Sequence, residues 1–274
     1  MKTILAATDY TELAENAVNY AASIARRYDY KLIILNDFTI SIHATNARLS
    51  AEAVEELIDE NRLLLESKAL LLASEYGIEV IARTTFSFIE NAINEVVAEY
   101  QPEMIVMGME EKSLEQELIG NTTTSVIKKL RTPVLAVPRG LKFTIPKKVL
   151  FACDVLNGVS AQILAQVKNV ALTTQAEVEV LLVNETVAEL KEMGIDAAAA
   201  LNRIDDGLEG IDYYYKNIKS DSIIKGISDE IKSINANLLI MVPQQYGFWG
   251  SMVHRSKTRI MASGLNIPLY TIPV

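Results

Sequence analysis

Four short apolar segments recur in the same order in the two halves of this chain, and that repeat constrains the fold more than any other feature. Lys2-Thr-Ile-Leu-Ala-Ala-Thr-Asp9 aligns with Lys147-Lys-Val-Leu-Phe-Ala-Cys-Asp154, and Leu32-Ile-Ile-Leu-Asn36 with Val180-Leu-Leu-Val-Asn184. Met104-Ile-Val-Met107 matches Leu238-Leu-Ile-Met241, and Pro133-Val-Leu-Ala-Val-Pro138 matches Pro268-Leu-Tyr-Thr-Ile-Pro273. The offsets are 145, 148, 134 and 135, so one unit is duplicated and its second copy is shorter in the middle. The Gly- and Pro-containing segment from Arg139 to Pro146 reads as the linker. The expected domains are residues 1–140 and 141–274.

Each apolar segment is continuous rather than alternating and rich in Ile, Val and Leu, the pattern of strands buried on both faces of a parallel sheet. Helical periods separate them. Ala14, Ala17, Val18, Ala21, Ala22 and Ala25 form one face, with Thr11 as the N-cap. From Ser50 to Tyr76, Val54, Leu57, Ile58, Leu64, Leu65 and Leu72 are expected to form another, ended by Gly77. Glu52, Glu55, Glu56, Asp59 and Glu60 on that helix read as a solvated face. With a strand over 78–85 and helices over 88–100 and 120–130, each copy alternates strand and helix. The expected fold is α/β: two doubly wound parallel five-stranded sheets arranged as a tandem pseudo-dimer. The fifth strands, Val134–Val137 and Leu269–Ile272, are expected to associate with each other, since an apolar edge strand must be paired or covered.

The net charge of −9 and pI near 4.9 argue against a nucleic-acid partner. With one cysteine, Cys153, and two histidines, His43 and His254, the chain offers no disulfide and no zinc-ligand cluster. No membrane partner is expected, because no signal-peptide core and no 18-residue apolar run is found. A cytoplasmic location is the expectation.

In doubly wound sheets ligands sit outside the carboxyl ends of the strands, where strand order reverses. That directs attention to Thr8, Asp9, Asn36, Asp37 and the segment from Gly108 to Gly120. Neither a Walker loop nor a Gly-x-Gly-x-x-Gly fingerprint is present. Gly120-Asn-Thr-Thr-Thr-Ser125 opens a helix with a glycine, outward amides and clustered hydroxyls, chemistry suited to an anion. Helix capping by Asn121 or Thr122 explains the same residues and stays open beside it.

These landmarks resemble the universal stress protein family in its tandem form. Its ATP-binding members show Gly-x2-Gly-x9-Gly-[Ser/Thr] and an Asp closing the first strand. Asp9, Gly108 and Gly120 match by type, Glu111 stands in place of the second glycine, and Asn121 precedes the hydroxyl of Thr122. The resemblance implies ATP, with Mg, bound in the first copy by Thr8, Asp9, Asn36, Asp37, Gly108, Gly120, Asn121, Thr122 and Thr123. A nucleotide-independent interaction scaffold is the alternative, and homodimerisation of the chain is a further expectation. No catalytic residue is assigned, because no general base or water-positioning group is evident, which leaves hydrolysis incidental.

In the second copy Val242-Pro243 replaces Gly108, and His254-Arg-Ser256 replaces the Gly120 helix start. Pro243 has no amide to donate, so that copy reads as degenerate. Cys153 reads as a small core-edge residue, and His43 as a structural or solvent-facing side chain rather than a catalytic one. The run Tyr213-Tyr-Tyr215 reads as packing or as a stacking platform, and Phe248-Trp249 as an apolar loop tip.

Overall fold

The computed structural model describes residues 1–38, 50–86, 88–109, 122–153, 159–183, 197–220, 223–242 and 266–273. The chain divides into two compact units, Met1–Met109 with Val134–Phe143, and Glu110–Pro133 with Thr144–Val274.

In the first unit the order is β1 (Thr3–Ala7), α1 (Glu12–Tyr28), β2 (Lys31–Asp37), α2 (Ala51–Tyr76), β3 (Val80–Thr85), α3 (Ile89–Tyr100), β4 (Ile105–Met109) and β5 (Val134–Pro138). Helix α4 (Thr122–Lys129) precedes β5 in sequence and belongs to the second unit. The first five strands lie in the order β3-β2-β1-β4-β5, every pair parallel. Strand order therefore reverses between β1 and β4. Ile4, Leu5, Ala6 and Leu32 to Leu35 are wholly buried, as continuous apolar strands require.

The second unit runs β6 (Lys148–Ala152), α5 (Ala161–Thr174), β7 (Glu177–Val183), α6 (Ala197–Leu208), β8 (Tyr213–Ile218), α7 (Ile223–Ile234), β9 (Leu238–Met241) and β10 (Leu269–Thr271). Its strands lie in the order β8-β7-β6-β9-β10, again all parallel, with the reversal between β6 and β9. The repeat seen in the sequence is a repeat of topology.

Local signals place the helix ends. Thr11 Oγ1 accepts from the Ala14 amide at 3.3 Å and caps α1, while Ser50 Oγ accepts from the Ala53 amide at 3.3 Å and caps α2. Gly77 closes α2 at φ 65°, a left-handed conformation that favours glycine. The buried face of α1 is the expected one, with Ala17, Val18, Ala21, Ala22 and Ala25 in the core.

One expectation for α2 is corrected. Leu64 is 54% exposed, whereas Asn61, Leu65, Ala69 and Leu72 are buried. Leucines spread over more than half of the circumference of this helix, so periodicity alone does not select its inner face. Glu52, Glu55, Glu56, Asp59 and Glu60 are exposed, as expected.

Candidate functional site

The carboxyl ends of β2, β1 and β4 bring five of the sequence-selected residues to one edge of the first unit's sheet. The β1–β4 register pairs Ala6 with Val106, which sets Thr8 level with Gly108 two residues on. The Thr8 amide donates to the Leu35 carbonyl at 2.8 Å, so Asn36 and Asp37 follow directly on the other side. Thr8, Asp9, Asn36, Asp37 and Gly108 therefore flank the point where strand order reverses, the position at which such sheets bind ligands.

Thr8 and Asn36 are already occupied. Thr8 is 5% exposed; its hydroxyl donates to Glu15 Oε1 at 3.0 Å and accepts from the Tyr10 amide at 3.0 Å. Glu15 also pairs with Lys68 of α2. Asn36, 4% exposed, donates from Nδ2 to the Thr8 carbonyl at 2.8 Å, and its Oδ1 accepts from Asn61 Nδ2 at 2.8 Å. These groups form a polar connection that ties the end of β1 to β2, α1 and α2. Buried amides and hydroxyls must be satisfied in this way, since an unmade bond costs about 1–3 kcal/mol.

Asp9 stays exposed. Its Oδ1 accepts from the Thr11 amide at 3.0 Å and from the Thr11 hydroxyl at 2.6 Å, an Asx turn leading into α1. The intervening Tyr10 takes φ 63°. Burial, reinforced by the Glu15 carboxylate, raises the Tyr10 pKa. Asp37 Oδ1 accepts from Thr85 Oγ1 at 3.4 Å. Just beyond, the Phe38 and Phe86 rings meet edge to face at 6.0 Å, with Phe86 51% exposed.

Gly108 is glycine for a reason of packing. A Cβ there would lie 2.6 Å from Leu13 Cγ and 2.9 Å from the Leu13 carbonyl oxygen, because α1 crosses directly over β4. Two polar contacts join α1 to the end of β5. Asn16 Nδ2 donates to the Pro138 carbonyl at 3.0 Å, and Arg139 pairs with Glu12 at 2.8 Å.

Thr122 is the first residue of α4 and exposed, whereas Thr123 is 3% exposed. Gly120, Asn121, Glu111, His43, Asp154, Phe248, Trp249, His254 and Arg255 lie outside the described residues. At the matching edge of the second unit, Cys153 occupies the position of Thr8 and Val242 that of Gly108. Both are buried, at 4% and 3% exposure.

The sequence did not point to Glu15, Lys68, Asn61, Phe38 or Phe86. Lys68 and Asn61 come from a helix distant in sequence, and no local spacing links them to β1. The tyrosine run is resolved as packing. Tyr213 and Tyr215 meet edge to face at 5.9 Å, and both hydroxyls donate to Asp205 Oδ1, at 2.7 and 2.8 Å. Among the described residues no helix is long and apolar enough to cross a membrane.

Fold and site edge together define a doubly wound α/β protein in tandem form, whose first unit carries the polar edge at its reversal point. The universal stress protein family matches residues 1–138, half of the chain, and the chain belongs to that family. A universal stress protein from Archaeoglobus fulgidus DSM 4304 superimposes with a TM-score of 0.70 at 18% identity, covering 99% of this chain and 96% of that one. A universal stress protein from Pseudomonas aeruginosa UCBPP-PA14 gives 0.59 at 14% identity, covering 99% and 93%. A universal stress protein solved in complex with cAMP matches 51% of this chain and 98% of its own, at 21% identity and a TM-score of 0.39. No curated protein sequence matches the chain.

Proposed function

We propose that this chain is a non-enzymatic stress-response protein of the cytoplasm that binds ATP, with Mg, in a first domain of residues 1–140, beside a degenerate second domain of residues 141–274. The observation that carries this reading is the contrast between the two reversal points. In the first unit Thr8 lies level with Gly108, and the exposed carboxylate of Asp9 follows it, with Asn36 and Asp37 on the neighbouring strand. In the second, buried Val242 stands where the first has Gly108, and buried Cys153 where it has the hydroxyl of Thr8.

Asp9 is the group to hold a ribose hydroxyl or a metal-bridged phosphate, since one of its oxygens already serves the turn into α1. The backbone after Asn36 and Asp37 would meet the base. The helix start from Gly120 through Asn121, Thr122 and Thr123 would supply amides and hydroxyls to the phosphates. Asp9 and Asp37 are both acidic and would repel a bare triphosphate, which is why Mg accompanies it here.

Two measurements test the proposal. Protein purified without added nucleotide should show excess absorbance at 260 nm and release a nucleotide identifiable by mass spectrometry. ATP at about a hundred times its dissociation constant should stabilise the chain by about 2.7 kcal/mol in a thermal melt. Gly120→Val should abolish that shift, because a β-branched side chain fills the space the phosphate needs.

A specific observation favours the scaffold as the second reading. The Thr8 hydroxyl and the Asn36 amide are spent on internal bonds, and the space above Gly108 belongs to Leu13. Absence of any shift at millimolar ATP with Mg would refute ATP binding and leave the scaffold reading, with the bulk and charge of Glu111 as the first suspected cause.

A further inference from the structure

Helix α2 turns four leucines away from its own core. Leu63 and Leu64 are 54% exposed, Leu70 73% and Leu71 70%. At 100° per residue the pairs 63/64 and 70/71 stack one above the other on the outer face, seven residues apart, with exposed Ser67 midway between them. Together they present on the order of 400 Å² of leucine surface on one helix, the size of the largest apolar patch on a typical monomer, which is often functional.

We propose that this face binds the same face of a second copy of the chain, the two α2 helices crossing antiparallel about a two-fold axis at Ser67. The pattern is its own complement. Reversing the helix about Ser67 exchanges Leu63 with Leu71 and Leu64 with Leu70, as an isologous interface demands. The small serine at the crossing lets the backbones approach while the leucine pairs interdigitate on either side. Charge selects the antiparallel direction, since parallel pairing would set Glu56 and Glu60 against their own copies. The antiparallel arrangement sets Glu60 opposite Ser74. Two such faces bury about 800 Å² of leucine surface in total, the scale of a weak, concentration-dependent association.

A lipid surface is the poorer occupant, because five acidic residues between Glu52 and Glu60 lie on the exposed side of the same helix.

The full-length chain should sediment as a dimer at about 100 µM, and Leu64→Glu with Leu70→Glu should weaken that dimer at least about tenfold. Both side chains are exposed, so the melt of the variant should match wild type under conditions where wild type is monomeric. Ser67→Cys should form an intermolecular disulfide under mild oxidation. Wild type should not, because Cys153 is buried, and Ser74→Cys should not, because its partner position is Glu60. A monomer at that concentration overturns the proposal, whether the leucines are then covered by another segment of the chain or bind vesicles. So does a dimer that survives the double substitution, or a disulfide that forms through Ser74→Cys and not through Ser67→Cys.

Discussion

Gly108→Ala separates the two explanations for a glycine at the ligand edge. The added Cβ would lie 2.6 Å from Leu13 Cγ and 2.9 Å from the Leu13 carbonyl oxygen. Contacts below 3 Å do not persist, so one neighbour must move. The leucine side chain is half-buried and can rotate away, but the carbonyl is part of the α1 backbone, and moving it shifts the helix from β4. Overpacking of this kind costs about 1–3 kcal/mol, and a rigid backbone contact places the expected loss near 2 kcal/mol. Equilibrium urea unfolding followed by circular dichroism measures it directly. Leu13→Ala in the same background removes the Cγ contact but keeps the carbonyl, so a double-mutant cycle should return about half the penalty as coupling energy. Two results would refute this. One is Gly108→Ala unfolding within about 0.5 kcal/mol of wild type; the other is a cycle with no coupling. A nucleotide-binding defect in Gly108→Ala would then have to be read against its stability, since a displaced α1 also displaces Asp9.

Three further outcomes are expected. Glu179, buried in β7, has its pKa raised chiefly by burial; Tyr214 hydrogen bonding and Lys216 oppose the shift, while Glu230 of α7 and Glu177 add to it. A raised folded-state pKa means its contribution to stability is complete below the unfolded value and is lost as pH rises through the folded one. Glu179→Gln should therefore melt like wild type near about pH 4 and above it near about pH 8; a constant difference across that range would contradict the assignment. Asp205→Ala removes the acceptor shared by Tyr213 and Tyr215 and should cost about 2 kcal/mol. The same change should bring Tyr213, now held up at about 12 first by its hydrogen bond to Asp205, to ionise at lower pH in an absorbance titration. Asn61→Ala leaves Asn36 Oδ1 buried without its donor and should cost about 1–3 kcal/mol, with Asn36→Ala adding little on top when the two are combined.

Much of the fold was legible because the relevant forces are local or pairwise in sequence pattern. Continuous Ile, Val and Leu runs such as Leu32 to Leu35 can be stable only with both faces covered, and the caps Thr11, Ser50 and Gly77 act on amides and carbonyls within a few residues of themselves. The duplication then carried the topology of one half into the other. What each candidate side chain does was decided elsewhere. Asn36 reads as a ligand contact until Asn61, 25 residues away, is set against it, and Thr8 reads as free until Glu15, itself paired with Lys68, accepts from its hydroxyl. Gly108 matched a phosphate loop by type, yet its missing side chain makes room for Leu13. On α2 the sequence spreads leucines over more than half of the helix circumference, and only the packing of Leu65, Ala69 and Leu72 onto the sheet leaves Leu63, Leu64, Leu70 and Leu71 outside. Residue type and spacing determine which elements form. Which polar groups remain available, and which apolar ones remain exposed, depends on contacts between elements far apart in the chain, and those exist only once the tertiary structure has formed.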